Sequence, residues 1–353
     1  MMKTSLWNEY HVILGCAFLL AVPAFAREST DVVVMKNGDR LTGEIKGLNA
    51  GVLYMSMQYI LGTSSVDWSK VSHLESKQLF LVKDEDGSVY TGTLNTTDTP
   101  AGRPMEITVA AASESKVIER SRIVQMDMTS TKFYQRFNGD FNTGIIYSKG
   151  NQSTQYSLSS EVAYPRERWS AGASFDSTLS ASTGASASTR NQVGVDALRL
   201  MPWNQWFYEG IGAFLQSSEQ GIVHQSTYGG GVGRYLKNTN LARISVLGGF
   251  VGQSTQYQQD IVSQSLASGL VAANLQFFRF NKTSGTLDAV LLPVITEPGR
   301  VKFNMNGTYY IKITGNLSWN VSVYGNWDSH PPAGLSGSDY GSSSGLSWTF
   351  GNK

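Results

Sequence analysis

The 353-residue chain has little charge: only 16% of its residues are charged, where about a quarter is usual for a soluble protein. Its formal net charge is +1. Because surfaces that bind nucleic acids are strongly basic, this balance argues against a polyanionic partner. Low charge combined with 41% hydrophobic residues suits a chain that is apolar on one face and polar, but weakly charged, on the other.

Cysteine is almost absent, since Cys16 is the only one in the chain. It lies in the apolar run 12–22, which is shorter than the roughly 20 residues that a membrane-spanning helix needs. The small-residue pattern "AFA" follows, and together these features predict a secretory signal peptide over residues 1–26. Lipid modification of Cys16 is disfavoured because much of the apolar run follows the cysteine. A mature chain beginning at Arg27 would lack cysteine, which excludes disulfides and thiolate metal sites.

Groups suited to acid–base chemistry are few, because the mature chain has only the histidines His73, His224 and His330. His224 is close in sequence to Ser226 and Thr227, which would suit a lipid hydrolase of the outer membrane, but nothing places an orienting acid beside it. We therefore expect a protein that is not an enzyme, with an outer-membrane lipid-modifying hydrolase as the alternative.

Two glycine-rich motifs have a suggestive spacing without the required context. "GSSSG" around Ser343 has the spacing of a nucleophile elbow, but it lies in the predicted last strand, whereas an elbow needs a strand, a sharp turn and a helix. "YGGGVGRY" is not a dinucleotide-binding motif, because no strand–helix unit surrounds it. No group of residues has metal-ligand spacing, so we expect neither a cofactor nor a metal.

A tandem repeat occupies the region after the predicted signal peptide. Asn37-Gly38, in "VVVMKNGDRLTGEI", predicts a β-hairpin with a type I′ turn, and Asp86-Gly87, in "LVKDEDGSVYTGTL", repeats it. Each hairpin is followed by a similar segment, "VDWSKVSHLE" in the first copy and "IERSRIVQMD" in the second. A repeat of roughly 50 residues with several short strands predicts two small SH3-like or Sm-like barrels.

These two copies are expected to form one domain over residues 27–128, followed by a linker at 129–135. An Sm-like hairpin also raises the possibility of RNA binding. The predicted signal peptide, the near-neutral charge and the lack of a basic stripe with interleaved aromatics argue against it. We expect no nucleic-acid partner, and we interpret the lysines and arginines of this region as solvated charges at strand ends.

From residue 136 to 353 the sequence alternates between apolar and polar residues in long runs, such as "RVKFNMNGTYYIKIT" and "NLSWNVSVYGNWDS". These runs are longer than soluble strands of about five or six residues and match the roughly 9 to 11 residues that cross a bilayer at a tilt. Turn signals divide the region into about twelve strands. The pattern predicts an all-β protein with a transmembrane antiparallel β-barrel of about 12 strands, and fits a soluble β-sandwich less well.

One side of these strands is mainly Asn, Ser, Thr and Gly, and we expect this side to face the lumen. Such a lining is typical of a passage for small solutes with little charge preference, or of an interior that is packed shut, and the sequence does not decide between them. The candidate lumen-facing residues are Asn138, Asp140, Asn142, Lys302, Asn304, Asn306, Lys312, Asn320 and Asn326.

The connections between predicted strands alternate between short turns, such as "YPRER" and "ITGN", and longer polar loops, such as "SASTGASASTRN" and "SSEQGIVHQ". Aromatic residues gather near the short turns, as at a membrane interface. Bacterial barrels place short turns in the periplasm, so we expect the N-terminal domain there. The expected partners are outer-membrane lipid and lipopolysaccharide, the barrel-assembly machinery, and peptidoglycan or a periplasmic protein.

The signal peptide, the "KNGDRLTGEI … VDWSKVSHLES" motif and the alternating segment "DFNTGIIYSKGNQSTQYSL" resemble the uncharacterised family of salt-induced outer-membrane proteins. The resemblance implies an outer-membrane β-barrel and a link to salt or osmotic response, with no established reaction or ligand. One feature departs from barrels of this class, which commonly end on an aromatic residue: here Gly351, Asn352 and Lys353 follow Phe350. The function we expect is a passive small-solute channel or a structural component of the envelope.

Overall fold

The computed structural model describes most of the chain after the predicted signal peptide, which lies outside the described residues together with Phe350 and the last three residues. The described residues are 29–97, 104–111, 115–148, 153–182, 187–201, 205–218, 221–257, 263–314, 317–330 and 337–348. They contain no helix long and apolar enough to span a lipid bilayer.

The described chain is all-β and forms two antiparallel sheets, one of nine strands and one of twelve. The strands of the first sheet are β1 (Asp31–Met35), β2 (Arg40–Asn49), β3 (Val52–Ser56), β4 (Thr63–Asp67), β5 (Val71–Asp84), β6 (Val89–Thr96), β7 (Glu106–Ala110), β8 (Ser115–Glu119) and β9 (Ile123–Met128). The strands of the second sheet are β10 (Asn138–Ser148), β11 (Ser153–Pro165), β12 (Trp169–Ser182), β13 (Ser188–Leu200), β14 (Trp206–Ser217), β15 (Ile222–Asn238), β16 (Ala242–Tyr257), β17 (Gln264–Arg279), β18 (Thr283–Pro293), β19 (Val301–Lys312), β20 (Leu317–Asp328) and β21 (Ser338–Trp348). Short 3-10 turns lie at Trp68–Lys70, Arg120–Arg122 and Phe133–Arg136.

The first sheet, here called the N-terminal module (β1 to β9), contains the two repeats. The first repeat is β1 to β5, and the second is β5 to β9, so the 14-residue strand β5 belongs to both. It pairs with β1 in the first repeat, and with β6 and β9 in the second. In each copy a 3-10 turn precedes the last strand. The arrangement is barrel-like, as the tandem pattern predicts.

Equivalent residues of the two repeats contact each other. The indole Nε1 of Trp68 donates to the carbonyl of Arg120, 3.0 Å away and 52 residues later in the chain. The Arg120 side chain donates in turn to the carbonyls of Ser69 and Val71, at 2.8 and 2.6 Å. The spacing of 52 residues is the offset between the matching segments in the sequence, so the two 3-10 turns join the copies into one body.

The two predicted hairpin turns form, but their turn type differs from the prediction. Gly38 and Gly87 have φ angles of +93° and +89°, whereas Asn37 does not adopt the positive φ that a type I′ turn requires. Gly38 N–H donates to the Met35 carbonyl, which makes a type I turn with glycine in the left-handed position after it. The Asn37 side chain accepts from the Asp39 N–H at 3.2 Å, which supports this alternative.

The module has an ordinary buried core, whereas the second sheet does not. In the module Phe80 is 0% exposed and Trp68 is 1% exposed, and both belong to one apolar cluster. On the second sheet, large apolar side chains such as Phe250 and Leu346 are 69% and 71% exposed. A contiguous exposed apolar surface of this kind indicates contact with something other than water.

The twelve strands of the second sheet follow one another in chain order, each paired with the next. A soluble β-sandwich would divide them between two packed sheets, and the structure shows one continuous sheet. Its strands are 11 to 17 residues long, and the arrangement is consistent with a β-barrel. Within the described ranges, no hydrogen-bonded pairing joins β10 to β21.

The short connections are at 166–168, 201–205, 239–241, 280–282 and 313–316. The expected longer loops are shorter than predicted because the strands continue into them. "SASTGASASTRN" is mostly part of β12 and β13, whose pairing continues to Ser180 and Ser188. "SSEQGIVHQ" contributes the beginning of β15, so His224 lies in a strand.

Replacing Phe80 with alanine removes a fully buried side chain from the strand that both repeats share. We expect the free energy of unfolding of the module to fall by about 3–5 kcal/mol. Amide hydrogen exchange of β5 in the full-length protein measures the change. Val117→Ala, at a position 48% exposed, is the matched control, expected to change stability by less than about 0.5 kcal/mol. Equal protection of β5 in both variants would contradict a core centred on Phe80.

Candidate functional site

Apart from the β-bulge positions of β14 and β15, the residues of β10 to β21 can each be assigned to one of two faces. Residues directly opposite each other in antiparallel strands share a face, and so do residues i and i+2 of one strand. Because the pairings run without a break from β10 to β21, the assignment extends across the whole sheet. One face, here called the apolar face, carries among others Phe141, Phe175, Val193, Phe214, Phe250, Val271, Leu287, Met305, Val323 and Leu346. The opposite face is here called the polar face.

All nine candidate lumen residues lie on the polar face, in two groups. The first group is on β10, where the Asn142 amide donates to the Asp140 carboxylate at 2.5 Å. The second group is on β19 and β20, where Asn304 lies opposite Asn326. The first group comprises Asn138, Asp140 and Asn142, and the second comprises Lys302, Asn304, Asn306, Lys312, Asn320 and Asn326. In the order of the sheet the two groups lie near its opposite edges, β10 and β21.

Charge is distributed unequally between the two faces, a feature that the candidate residues predicted from the sequence do not include. Every Asp and Glu in the described parts of β10 to β21 lies on the polar face: Asp140, Glu161, Asp176, Asp196, Glu209, Asp288, Asp328 and Asp339. The same face carries the four bases Arg190, Arg243, Lys302 and Lys312. The polar face therefore has twice as many carboxylates as bases. The sequence does contain this information: within each alternating run, the acidic residues stand at the same alternate positions as the other polar side chains.

The polar face is not polar throughout. Leu266 and Leu270 of β17 lie on it and are only 6% and 9% exposed, next to the bridge between Ser268 and Val294. At this end the Arg300 guanidinium is 5% exposed and bonds to Asp328 at 2.6 Å. This end of the polar face, at the longer connections, is packed.

The N-terminal module touches the other end of the sheet, where the short connections are. The Thr91 hydroxyl donates to the Glu167 carboxylate at 2.6 Å, and the Gln205 amide donates to the Glu85 carbonyl. The backbone of Gly51 also approaches the sheet closely. A Cβ added to Gly51 would lie 2.8 Å from the Asn240 carbonyl oxygen and 3.8 Å from the Phe278 ring. These contacts involve the connections 166–168, 201–205 and 239–241 and the end of β17. They are here called the cap interface.

Charged and aromatic groups from both sides meet at the centre of the cap interface. The Lys83 ammonium lies 4.9 Å from the centre of the Tyr235 ring, and Arg243 donates to the Gln125 side chain at 3.3 Å. Tyr235 and Arg243 are polar-face residues by register. The module therefore sits over the end of the polar face.

Burial at the cap interface changes the protonation of two module residues. The pKa of Lys83 is lowered to about 8, mainly by loss of hydration and also by the nearby Arg243, while Asp127 opposes the change. Burial also raises the pKa of Asp127, against hydrogen bonds from Gln125, one of 2.9 Å, and the positive charges of Lys83 and Arg243. Docking of the module thus disfavours the charged form of Lys83.

The hydrolase alternative is not assembled around His224. His224 lies on the apolar face with Ser226, opposite Gln256 of β16. Among the described residues no carboxylate bonds to His224 and no hydrogen bond joins it to Ser226.

The other sites that were considered remain isolated. His73 lies in β5 opposite Val34, and the His330 ring is 2.9 Å from the Ser329 hydroxyl. Ser343 lies within β21 opposite Ser322, without the turn that an elbow needs. In the part of the chain that the structure describes, no group of three or more His, Cys, Asp or Glu could hold a metal ion.

Comparison with known proteins gave one family. A family model described as "Protein of unknown function, DUF481" matches residues 141–350, which is most of the twelve-stranded sheet. No curated protein and no solved structure matches the chain.

The lowered pKa of Lys83 predicts pH-dependent docking. The docked state favours the neutral amine of Lys83, so protonation weakens docking. Docking should be weakest below about pH 8, should tighten as the pH rises from about 8 to 10.5, and should gain nothing more above the free pKa of 10.5. Lys83→Met keeps a side chain of similar length but removes the charge. It should abolish the tightening of docking between about pH 8 and 10.5. Spin labels at Val117 in the module and at Lys282 in a short turn measure the separation. The same pH dependence in wild type and in Lys83→Met would refute the assignment.

Proposed function

The chain belongs to the DUF481 family, whose function is unknown, and from its own geometry we propose a passive, cation-preferring outer-membrane channel with the N-terminal module capping its periplasmic end. The observation that supports this most is the separation of the two faces. The apolar face presents large exposed side chains, and the polar face holds all the described strand carboxylates.

A bilayer fits this separation. Strands of 11 residues or more are long enough to cross the hydrocarbon core at a tilt. In lipid an open sheet edge would leave backbone groups without partners, so we propose that β10 and β21 pair and close the sheet into a barrel. The apolar face then contacts lipid, and the polar face lines the interior.

The polar face suits passage of small cations. A barrel of twelve strands is wider than an eight-stranded barrel filled by its own side chains, and narrower than an open porin. A lining with twice as many carboxylates as bases attracts cations and repels anions. The sequence led us to expect little charge preference, and the registers favour a preference for cations.

The position of the module supports the capping role. It contacts successive short connections and places Lys83 and Gln125 at the end of the polar face. Solutes would have to pass beside the module or move it. Docking that tightens as the pH rises offers a way to modulate the passage of solutes.

Location and partners remain part of the proposal. The predicted signal peptide, the even number of strands and the short connections support an outer membrane with the module in the periplasm. The proposed partners are outer-membrane lipid and lipopolysaccharide, the assembly machinery, and peptidoglycan or a periplasmic protein. A role in salt response follows from the family resemblance, and expression measured across a range of osmolarity tests it.

A hydrolase is a second candidate, because His224 and Ser226 share the apolar face where substrate lipid would lie. Reconstituted protein should then turn over phospholipid, and His224→Ala should abolish this. Lipid turnover that is lost in His224→Ala would replace the channel as the preferred function.

Cation preference can be measured in planar bilayers with a potassium chloride gradient. We expect a reversal potential that favours potassium in the wild type, because of the carboxylate excess. The triple variant Asp140→Asn, Asp176→Asn, Asp288→Asn should move it towards zero, while Lys282→Gln in a short turn should leave it nearly unchanged. A preference for chloride, or the absence of discrete conductance steps, would contradict the proposal.

Loosening the cap should increase conduction. Thr91→Ala and Gln125→Ala remove module contacts with Glu167 and Arg243 and leave every charge on the polar face in place. We expect longer open times, recorded from single channels. Lys77→Ala, at an exposed position of β5, is the control. Unchanged conduction in a double variant whose spin labels show a displaced module would rule out capping.

A further inference from the structure

The apolar face carries only basic charges, and these lie at one end. By register it includes Arg199 of β13, Arg234 of β15 and Arg279 of β17, and Lys237 lies beside it at a β-bulge of β15. All four are close to the ends of strands that short connections join. In the described strands no acidic residue shares this face.

Arg199 and Arg234 lie on either side of β14, which carries the aromatic residues Trp206 and Tyr208 between them. Arg199 lies opposite both Trp169 and Tyr208, and Arg234 lies opposite Trp206. The Arg234 guanidinium is 5.7 Å from the centre of the Trp206 ring. A groove of about 380 Å³ lies beside Trp169, Arg199 and Tyr208, with the small residues Ala197 and Gly210 in its lining. Ser170 and Glu209 also belong to the lining.

Neither arginine is neutralised within the described part of the chain. The ion pairs there involve Lys46, Arg122 and Arg300. The nearest strand carboxylate in register, Glu209, points to the opposite face. A guanidinium at the edge of an apolar surface is costly without a counter-charge, so an anion is expected to come from outside the chain.

The surroundings identify the class of anion. Trp and Tyr side chains concentrate where lipid headgroups begin, and an arginine there reaches phosphate with two parallel hydrogen bonds. Stacking of Arg234 on Trp206 holds the plane of the guanidinium and leaves its N–H donors available. The groove next to Arg199, whose lining is mainly apolar or small, offers room for an acyl chain attached to the same phosphate.

We propose that Arg199 and Arg234, with Trp169, Trp206 and Tyr208, bind the headgroup phosphate of an anionic phospholipid in the leaflet at the short-connection end. This site rests on the proposed function, because it requires the apolar face to contact lipid. It anchors the barrel at the level where the N-terminal module docks.

Native mass spectrometry of the full-length protein, released from micelles doped with phosphatidylglycerol or phosphatidylcholine, tests the site. The wild type should retain phosphatidylglycerol in preference, and each of Arg199→Gln and Arg234→Gln should weaken retention about fivefold. Arg190→Gln, on the polar face at the other end of its strand, is the matched control and should retain lipid as the wild type does. Inorganic phosphate should not displace the lipid.

The outcomes separate this site from the proposed function. Gel mobility before and after boiling reports the folded barrel in each sample. If both variants fold and retain phosphatidylglycerol as the wild type does, the headgroup site is refuted while the barrel stands. Displacement of the lipid by inorganic phosphate would refute a lipid site. If even the wild type shows no heat-dependent mobility and retains no lipid, the membrane barrel fails, and the headgroup site fails with it.

Discussion

A side chain in a β-strand can point only to one of two faces, and twelve successive strands keep this alternation in register except at β-bulges near the ends of β15. A slip of one residue in a single pairing would move a carboxylate such as Asp288 to the apolar face, among side chains such as Leu287. The β-bulges of β15 occur at its ends, near Ile222 and Tyr235, and the strand keeps its alternation between them. The proposed membrane barrel, cation-preferring interior and basic lipid rim all depend on this register.

The N-terminal module depends on a different principle, duplication. Two repeats share β5 and join through Trp68 and Arg120, which gives a body with a buried core. The same strand carries Lys83 to the end of the polar face, where burial lowers its pKa to about 8. Lys83, one of the residues that link the module to the sheet, is thus also sensitive to pH. We expect a module that is stable by itself and docked by weaker, adjustable contacts.

Periodicity was enough to predict the twelve strands and to place the nine candidate residues on one face, because alternation is a local property of the sequence. The turn at Asn37-Gly38 was predicted as type I′, and this was wrong, since the hydrogen bond to Asp39 favours the other geometry. The cap interface could not be predicted, because its contacts join residues such as Thr91 and Glu167 that are 76 positions apart. The carboxylate excess was present in the sequence, but it becomes visible only once the register is known.

Quenching of fluorescent labels tests the face assignment most directly, since Cys16 is the one cysteine in the sequence and single labelling sites can be introduced. Labels at Phe250→Cys and Leu287→Cys on the apolar face should be quenched by nitroxides carried on lipid chains and protected from aqueous iodide. A label at Asn306→Cys on the polar face should be protected from the lipid-borne quencher. The reverse pattern, or equal quenching of all three labels by iodide, would contradict a lipid-facing apolar surface and the channel built on it.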